Sequence, residues 1–152
     1  VIGMQGRDVL SGAAGRDSLL GFVGNDTLSG GGGHDTLHGD AGNDVLRGET
    51  ANDRLFGDGG RDTLNGGPGN DILAGGGNRD FFVFARGHDR DRIDDYEPRV
   101  DKIDFSAYNF TRAAIREKIS QSGLNVEINL GRGDSVVIDD ARVPQVLGDI
   151  II

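Results

Sequence analysis

The chain has no cysteine and no tryptophan, and only three prolines, three histidines and one methionine among 152 residues. Without cysteine there is neither a disulfide framework nor a thiolate metal site. No apolar run approaches the ~20 residues of a membrane-spanning helix, so no membrane insertion is expected. No signal peptide is visible at the start, and the chain, opening on Val1, reads as a piece of a longer protein. Positive charge is scarce: 16 Lys and Arg face 25 Asp and Glu, leaving a net charge of −9 and a pI near 4.6. Nucleic acid and anionic membrane are disfavoured as partners, because both require a basic surface. Catalytic signatures are missing as well: there is no His-Glu-x-x-His, no Gly-x-Ser-x-Gly and no phosphate-binding loop. His34 and His38 stand four apart, but in a strand-and-turn repeat they share no helical face, and no zinc site is assigned. Acidic pairs are too abundant for any to be singled out as catalytic carboxylates. A non-catalytic module is expected.

What the chain does have is glycine and aspartate in register. The 27 glycines lie mostly before residue 80. An aspartate returns every ninth position: Asp8, Asp17, Asp26, Asp35, Asp44, Asp53, Asp62, Asp71 and Asp80. Two residues after each stands Leu or, at Phe82, an aromatic; five residues before each stands glycine. Two residues before seven of them there is a second glycine. Numbered from the leading glycine, the unit has Gly at positions one and four, Asp at six and an apolar residue at eight.

A nine-residue unit cannot be one helical repeat, because 3.6 residues per turn would scatter its Leu positions around the axis. It fits a three-residue strand with its central side chain inward, as in Thr27-Leu28-Ser29, followed by a glycine turn where positive φ is cheap. Two units then close one coil of eighteen residues. The expected fold is all-β: a right-handed parallel β-roll over residues 1–83, two short-stranded parallel sheets with the Leu rows between them. A β-rich cap with one short helix is expected over residues 84–152. One Leu per nine residues buries too little apolar surface to offset the entropy of ordering nine backbones. Aspartates eighteen residues apart lie on successive coils, about 4.7–4.9 Å from one another, where bare carboxylates repel. A hard cation between them reverses the sign. Oxygen-only ligands, Asp carboxylates and turn carbonyls, suit Ca²⁺. One edge offers four gaps and the other three, so up to seven calcium ions are expected, with binding and folding one event.

The unit resembles the repeat-in-toxin (RTX, hemolysin-type) calcium-binding nonapeptide, Gly-Gly-x-Gly-x-Asp-x-(apolar)-x. The copies nearest that pattern are Gly30 to His38 and Gly66 to Ala74. The resemblance implies that the carbonyls of Gly30, Gly33, Gly39, Gly42, Gly57, Gly60, Gly66 and Gly69 are ligands beside the Asp side chains. It further implies export by a type I secretion machinery, an extracellular location and an upstream domain in the parent protein. The chain departs from the pattern at Ala51 and Asn78, which replace the position-four glycine, and at Met4-Gln5, Ala13-Ala14 and Phe22-Val23. The apolar group Met4, Phe22 and Val23 is read either as a contact with an upstream domain or as simple variation.

Beyond the array, Phe81 to Phe84 is an apolar run fit to close the last coil. Asp91 to Tyr96 and Asp101 to Ser106 resemble the segment that follows the roll in secreted serralysin-like proteases and alginate epimerase modules. There Asp91 either completes a last calcium site or is a solvated turn residue. Thr111 to Ser120 reads as a short helix with Ile115 and Ile119 on one face. Leu124, Val126, Ile128 and Leu130 alternate as in a half-buried strand, followed by a turn at Gly131 to Asp134 and a second hairpin arm, Ser135 to Ile138. The ending Asp149-Ile150-Ile151-Ile152 resembles the C-terminal tail of type I secreted proteases and lipases. Two functions from different classes are carried forward: a calcium-triggered folding and secretion module, and a module binding an anionic polysaccharide such as alginate through Arg47, Arg54, Arg61 and Arg79.

Overall fold

The computed structural model describes residues 1–152. The repeats become short parallel strands that alternate between two sheets. Through the array these are β1 (Val9–Ala14), β2 (Ser18–Leu20), β3 (Thr27–Gly32), β4 (Thr36–His38), β5 (Val45–Thr50), β6 (Arg54–Phe56), β7 (Thr63–Asn65), β8 (Ile72–Ala74) and β9 (Phe81–Val83). They are followed by β10 (Arg90–Ile93), β11 (Lys102–Asp104), helix α1 (Arg112–Arg116), β12 (Ile119–Ser122), β13 (Asn125–Gly131), β14 (Asp134–Ile138), helix α2 (Val143–Asp149) and β15 (Ile150–Ile151).

One sheet has the order β1-β3-β5-β7-β9-β11-β15, the other β12-β13-β14-β10-β8-β6-β4-β2. Equivalent residues pair eighteen apart, Leu10 with Leu28 and Leu19 with Leu37, as two repeats per coil require. Because side chains alternate across a strand, only the central Leu of each points inward. Leu19, Leu28, Leu37, Leu46, Leu55, Leu64, Leu73 and Phe82 are fully buried. Leu10, on the first coil, is half-buried and its neighbour Val9 is 79% exposed, since no earlier strand covers them.

The stacking runs on past Val83 with altered spacing. Leu73 pairs with Ile93, twenty residues on, and Phe82 with Ile103, twenty-one on. There the core thickens: Phe84, Phe105 and Tyr108 pack ring to ring, and Val126, Ile128, Val136 and Ile138 alternate inward. β13 and β14 form the expected antiparallel hairpin, and β14 joins β10 in parallel, extending the second sheet. The helix expected over Thr111 to Ser120 is shorter than that. Thr111 caps α1 by accepting the Ala114 N–H, and the helix stops at Arg116; Ile119 begins a strand paired with Ile128 instead. The β-branched Ile119 is better satisfied on a pleated sheet beside Ile128 than on an eighth helical position. Helix α2 was not foreseen; Pro144 sits in its first turn, where a missing N–H costs nothing, and the Gln145 side chain accepts the Arg142 N–H.

Candidate metal centre

Each array aspartate sits at the end of a glycine turn, immediately before its strand, so the 18-residue pairing stacks the carboxylates in two columns. Within a column the geometry repeats. The Asp26 carboxylate accepts the backbone N–H of Asp8 at 2.8 Å through Oδ1; Asp44 accepts from Asp26, Asp62 from Asp44 and Asp80 from Asp62 at 2.7–2.8 Å. The other column runs Asp17, Asp35, Asp53, Asp71 and then Asp91, with the same bond at each step. One oxygen of every rung after the first is thus spent on the preceding coil.

The other oxygen is not. Oδ2 of Asp17, Asp26, Asp35, Asp44, Asp53, Asp62, Asp71, Asp80 and Asp91 is buried and has no hydrogen-bond partner. Buried polar atoms in native proteins are almost always paired, so nine orphans of one kind point to a missing positive partner. Beside six of them, from Asp17 to Asp62, lies more oxygen. A Cβ placed on Gly21 would lie 2.7 Å from both Asp26 Oδ2 and the Gly39 carbonyl; one on Gly57 would lie 2.5 Å from Asp62 Oδ2 and 2.6 Å from the Gly75 carbonyl. The same pairing joins the Gly30 carbonyl to Asp17, Gly57 to Asp44 and Gly66 to Asp53. It also joins Gly21 to Asp8, Gly48 to Asp35 and Gly75 to Asp62, three position-one glycines that sequence reasoning passed over although they hold the same place in the unit.

Position-four carbonyls have a different aim. The carbonyls of Gly33, Gly42, Gly60 and Gly69 accept no backbone hydrogen bond. The Gly42 carbonyl is directed at the Gly60 α-carbon of the next coil, so closely that any side chain there would collide with it. Ala51, one of the departures, keeps this arrangement: it holds φ at +82° and its carbonyl faces Gly69. Asn78, Ala13 and Phe22 likewise adopt the left-handed region. Such residues cost roughly 1–2 kcal/mol each in that conformation, so the turn shape is imposed by the stack.

Burial raises the carboxyl groups. Despite the backbone N–H that each accepts, and with the charge of neighbouring rungs adding to the effect of burial, Asp44 and Asp53 are pushed up to about 6. Asp62, Asp71 and Asp80 reach about 7 and Asp91 about 9. Acceptors facing acceptors need a proton or a cation. No point gathers three or more His, Asp or Glu side chains; each position mixes carboxylate with backbone carbonyl. That hard, oxygen-only donor set fits Ca²⁺ and suits zinc poorly. His34 and His38 take no part: His34 Nδ1 lies 2.9 Å from the Asn52 carbonyl, and His38 pairs with Asp58 at 3.0 Å while stacking on Phe56.

The two columns end differently. Asp8 is half-buried and its Oδ2 accepts the Met4 N–H at 2.7 Å. Asp91 stands in line after Asp71 with a bare Oδ2. Beyond Asp80 comes Asp101, whose oxygens are both used, one by the Asp80 N–H at 3.0 Å and one by the Glu97 N–H at 2.8 Å. Asp101 was missed in the sequence, although Asp101-Lys102-Ile103 repeats the Asp-x-apolar signature, because the spacing slips from eighteen to twenty-one.

These features agree with comparisons to known proteins. The family profile described as the RTX calcium-binding nonapeptide repeat matches in four overlapping copies, residues 2–37, 29–64, 38–73 and 56–91. No curated protein sequence matches. Among solved structures, the chain is similar to the extracellular lipase LipA from Serratia marcescens (TM-score 0.53, 17% identity), covering 99% of this chain and 39% of the lipase. It is also similar to the AlgE6R3 subunit of the Azotobacter vinelandii mannuronan C5-epimerase (TM-score 0.54, 28% identity), covering 91% of this chain and 78% of that one. The chain thus spans well under half of the lipase's length. With the profile running from residue 2 to residue 91, the chain belongs to the family of RTX calcium-binding nonapeptide repeats.

Proposed function

We propose that the chain is a module that folds on calcium outside the cell, supporting the export by a type I secretion machinery and the stability of a larger secreted protein. The observation that carries this reading is the double column of buried Asp oxygens without partners, those of Asp17, Asp26, Asp35, Asp44, Asp53 and Asp62 lying beside a glycine carbonyl of the next coil. Where free calcium is scarce, facing acceptors oppose folding and the chain stays extended enough to thread a channel. Where calcium is plentiful, cations fill the columns and the roll forms. The proposed ligands are Asp8, Asp17, Asp26, Asp35, Asp44, Asp53, Asp62, Asp71 and Asp80, with the carbonyls of Gly30, Gly39, Gly57 and Gly66 beside the carboxylates and those of Gly33, Gly42, Gly60 and Gly69 on the outer turn. Asp91 adds one more position to the seven array gaps. On this reading residues 1–83 are the calcium-dependent roll and residues 84–152 its cap, and the exposed Met4, Phe22 and Val23 face an upstream domain. The module itself carries no catalytic role.

A calcium titration followed by circular dichroism tests this. β-structure should appear near ~10⁻⁴–10⁻³ M, the range of extracellular calcium modules. A spectrum indifferent to chelator would sink the proposal.

A second reading, polysaccharide binding, is favoured by one feature. Two adjoining grooves of about 460 and 370 Å³ share Asn70 and Ile72 and are lined by Arg90 and Arg92 in one, Arg16, His34 and Arg54 in the other. Of the arginines picked from sequence, Arg54 lies in this track. Arg61 sits over the Phe81 ring instead, and Arg79 donates to the Val100 carbonyl. Oligouronate binding at fixed calcium should weaken in Arg54→Ala and Arg90→Ala but not in Arg61→Ala; equal affinities throughout would remove this reading.

A further inference from the structure

The loop between β10 and β11 touches two distant parts of the molecule at once. Toward the array, Asp95 accepts the N–H groups of Gly75 at 2.9 Å and Gly76 at 2.7 Å, the turn that leads to Asp80. Asp101, on the same loop, accepts the N–H of Asp80 itself. Toward the C-terminus, the loop holds Asp149. The Tyr96 hydroxyl donates to Asp149 Oδ2 at 2.6 Å, the Arg99 N–H donates to the same oxygen at 2.8 Å, and the Lys102 ammonium donates to Oδ1.

Asp149 is an unexpected residue where it stands. It is buried, and it closes α2, where a negative charge opposes the helix dipole. Its three donors all come from the 96–102 segment and none from its own helix. Burial alone would raise its carboxyl group, but Lys102, Tyr96 and the Arg99 N–H outweigh burial and keep it ionised. Directly after it, β15 pairs Ile150 with Ile103 as the last strand of the sheet that carries Asp80.

We propose that Asp149 is a positioning residue for the last cation position of the Asp62–Asp80 column. It fixes the 95–102 loop, and the loop presents Asp95 and Asp101 to the Gly75–Asp80 turn. This rests on the calcium reading above. Coupling between sites is reciprocal, so calcium at that position also holds the C-terminal strand in place. The other column, which ends at Asp91, has no such connection and serves as an internal control.

The test is a calcium titration of the 152-residue chain followed by hydrogen exchange resolved along the sequence. In Asp149→Ala the calcium midpoint for protection of residues 75–80 should rise about tenfold, a usual size for outer-shell changes at metal sites, while that of the Asp35–Asp53 turns stays within about twofold. In the unaltered chain, residues 150–152 should gain protection with the same midpoint as residues 75–80. Tyr96→Phe, which removes one donor to Asp149 and leaves the charge pair, should shift residues 75–80 in the same direction by less, and it decides the matter if Asp149→Ala does not fold. Equal shifts along the whole array would mean general destabilisation and would overturn the proposal, as would no shift at 75–80. If the unaltered chain gains no protection with calcium anywhere, it is the calcium reading that fails.

Discussion

The array and the cap solve the same folding problem with different materials. In the array each nine residues contribute one buried Leu and one buried carboxylate left half unsatisfied. In the cap, aromatic and branched residues fill a conventional core, and apart from Asp91, which continues a column of the array, the buried carboxylates are completed by protein donors. Asp134 takes the Gly87 N–H at 3.0 Å and the Tyr108 hydroxyl at 2.9 Å; Asp149 takes three donors; Asp101 takes two. The contrast teaches that a buried aspartate is not itself the mark of a metal site. The mark is a bare oxygen facing other oxygens, repeated at fixed spacing.

The strongest way to break this contrast is to remove calcium. With chelator, residues 9–74 should exchange their amide hydrogens at nearly unfolded rates, while the β13–β14 hairpin retains measurable protection. Uniform loss across the chain would show that array and cap form one cooperative unit.

A second comparison sets one carboxylate against another. Asp62→Ala should raise the calcium midpoint of folding by about tenfold or more, in line with losing a ligand. Asp134→Ala should leave that midpoint in place and instead lower stability at saturating calcium by about 1–3 kcal/mol, the cost of two donors losing their acceptor. If both act on the calcium midpoint alike, the distinction between the regions fails.

Acidity should divide the regions by sign. The array carboxyls have raised values in the fold, so their protonation favours the metal-free roll: that contribution is complete at low pH and is lost as pH rises through about 6–7. Chelated protein should therefore show more β-structure by circular dichroism at pH 5 than at pH 8, while the calcium midpoint rises on acidification as protons compete. Asp149 runs the other way. Its value is lowered, so its contribution is present above the usual carboxylate range and fades only below it. Loosening of the C-terminal strand already at pH 6 would contradict this.

The smallest effects come from glycine. Gly60→Ala meets the Gly42 carbonyl and a φ of +135°, and should lower the melting temperature at saturating calcium by an amount equivalent to about 1–3 kcal/mol. Gly148→Ala in α2 meets nothing within 4 Å and should stabilise by roughly 0.5–1 kcal/mol.

Much of this was legible in the sequence because the array has almost no freedom. An 18-residue coil forces Leu onto one row and Asp onto another, so two rows, two sheets and an oxygen-rich edge follow from periodicity. The cap offered no such rule. The slip to twenty-one residues hid Asp101 as the continuation of its column, whereas Asp91 was legible as one of two readings of its segment; Asp95 had no counterpart in the repeat. The strands at Ile150 and Ile119 were decided by their pairing partners, the distant Ile103 for the tail and the nearby Ile128 for the edge. The row of asparagines just before the array aspartates also carried a signal that went unread: Asn25, Asn43, Asn52 and Asn70 each accept a backbone N–H from the next coil.

The constant 18-residue register has a mechanical consequence. Each coil adds only about 4.8 Å to the length of the stack, yet holds a chain that stretches to roughly 60 Å when straightened. Under tension applied from the two ends, the roll should peel one coil at a time, and each step should be a lengthening of about 55 Å by the same two figures. A coil that re-forms while its ion is available would take up the same length, so the module would act as a spring whose stiffness is set by the ionic composition of its surroundings.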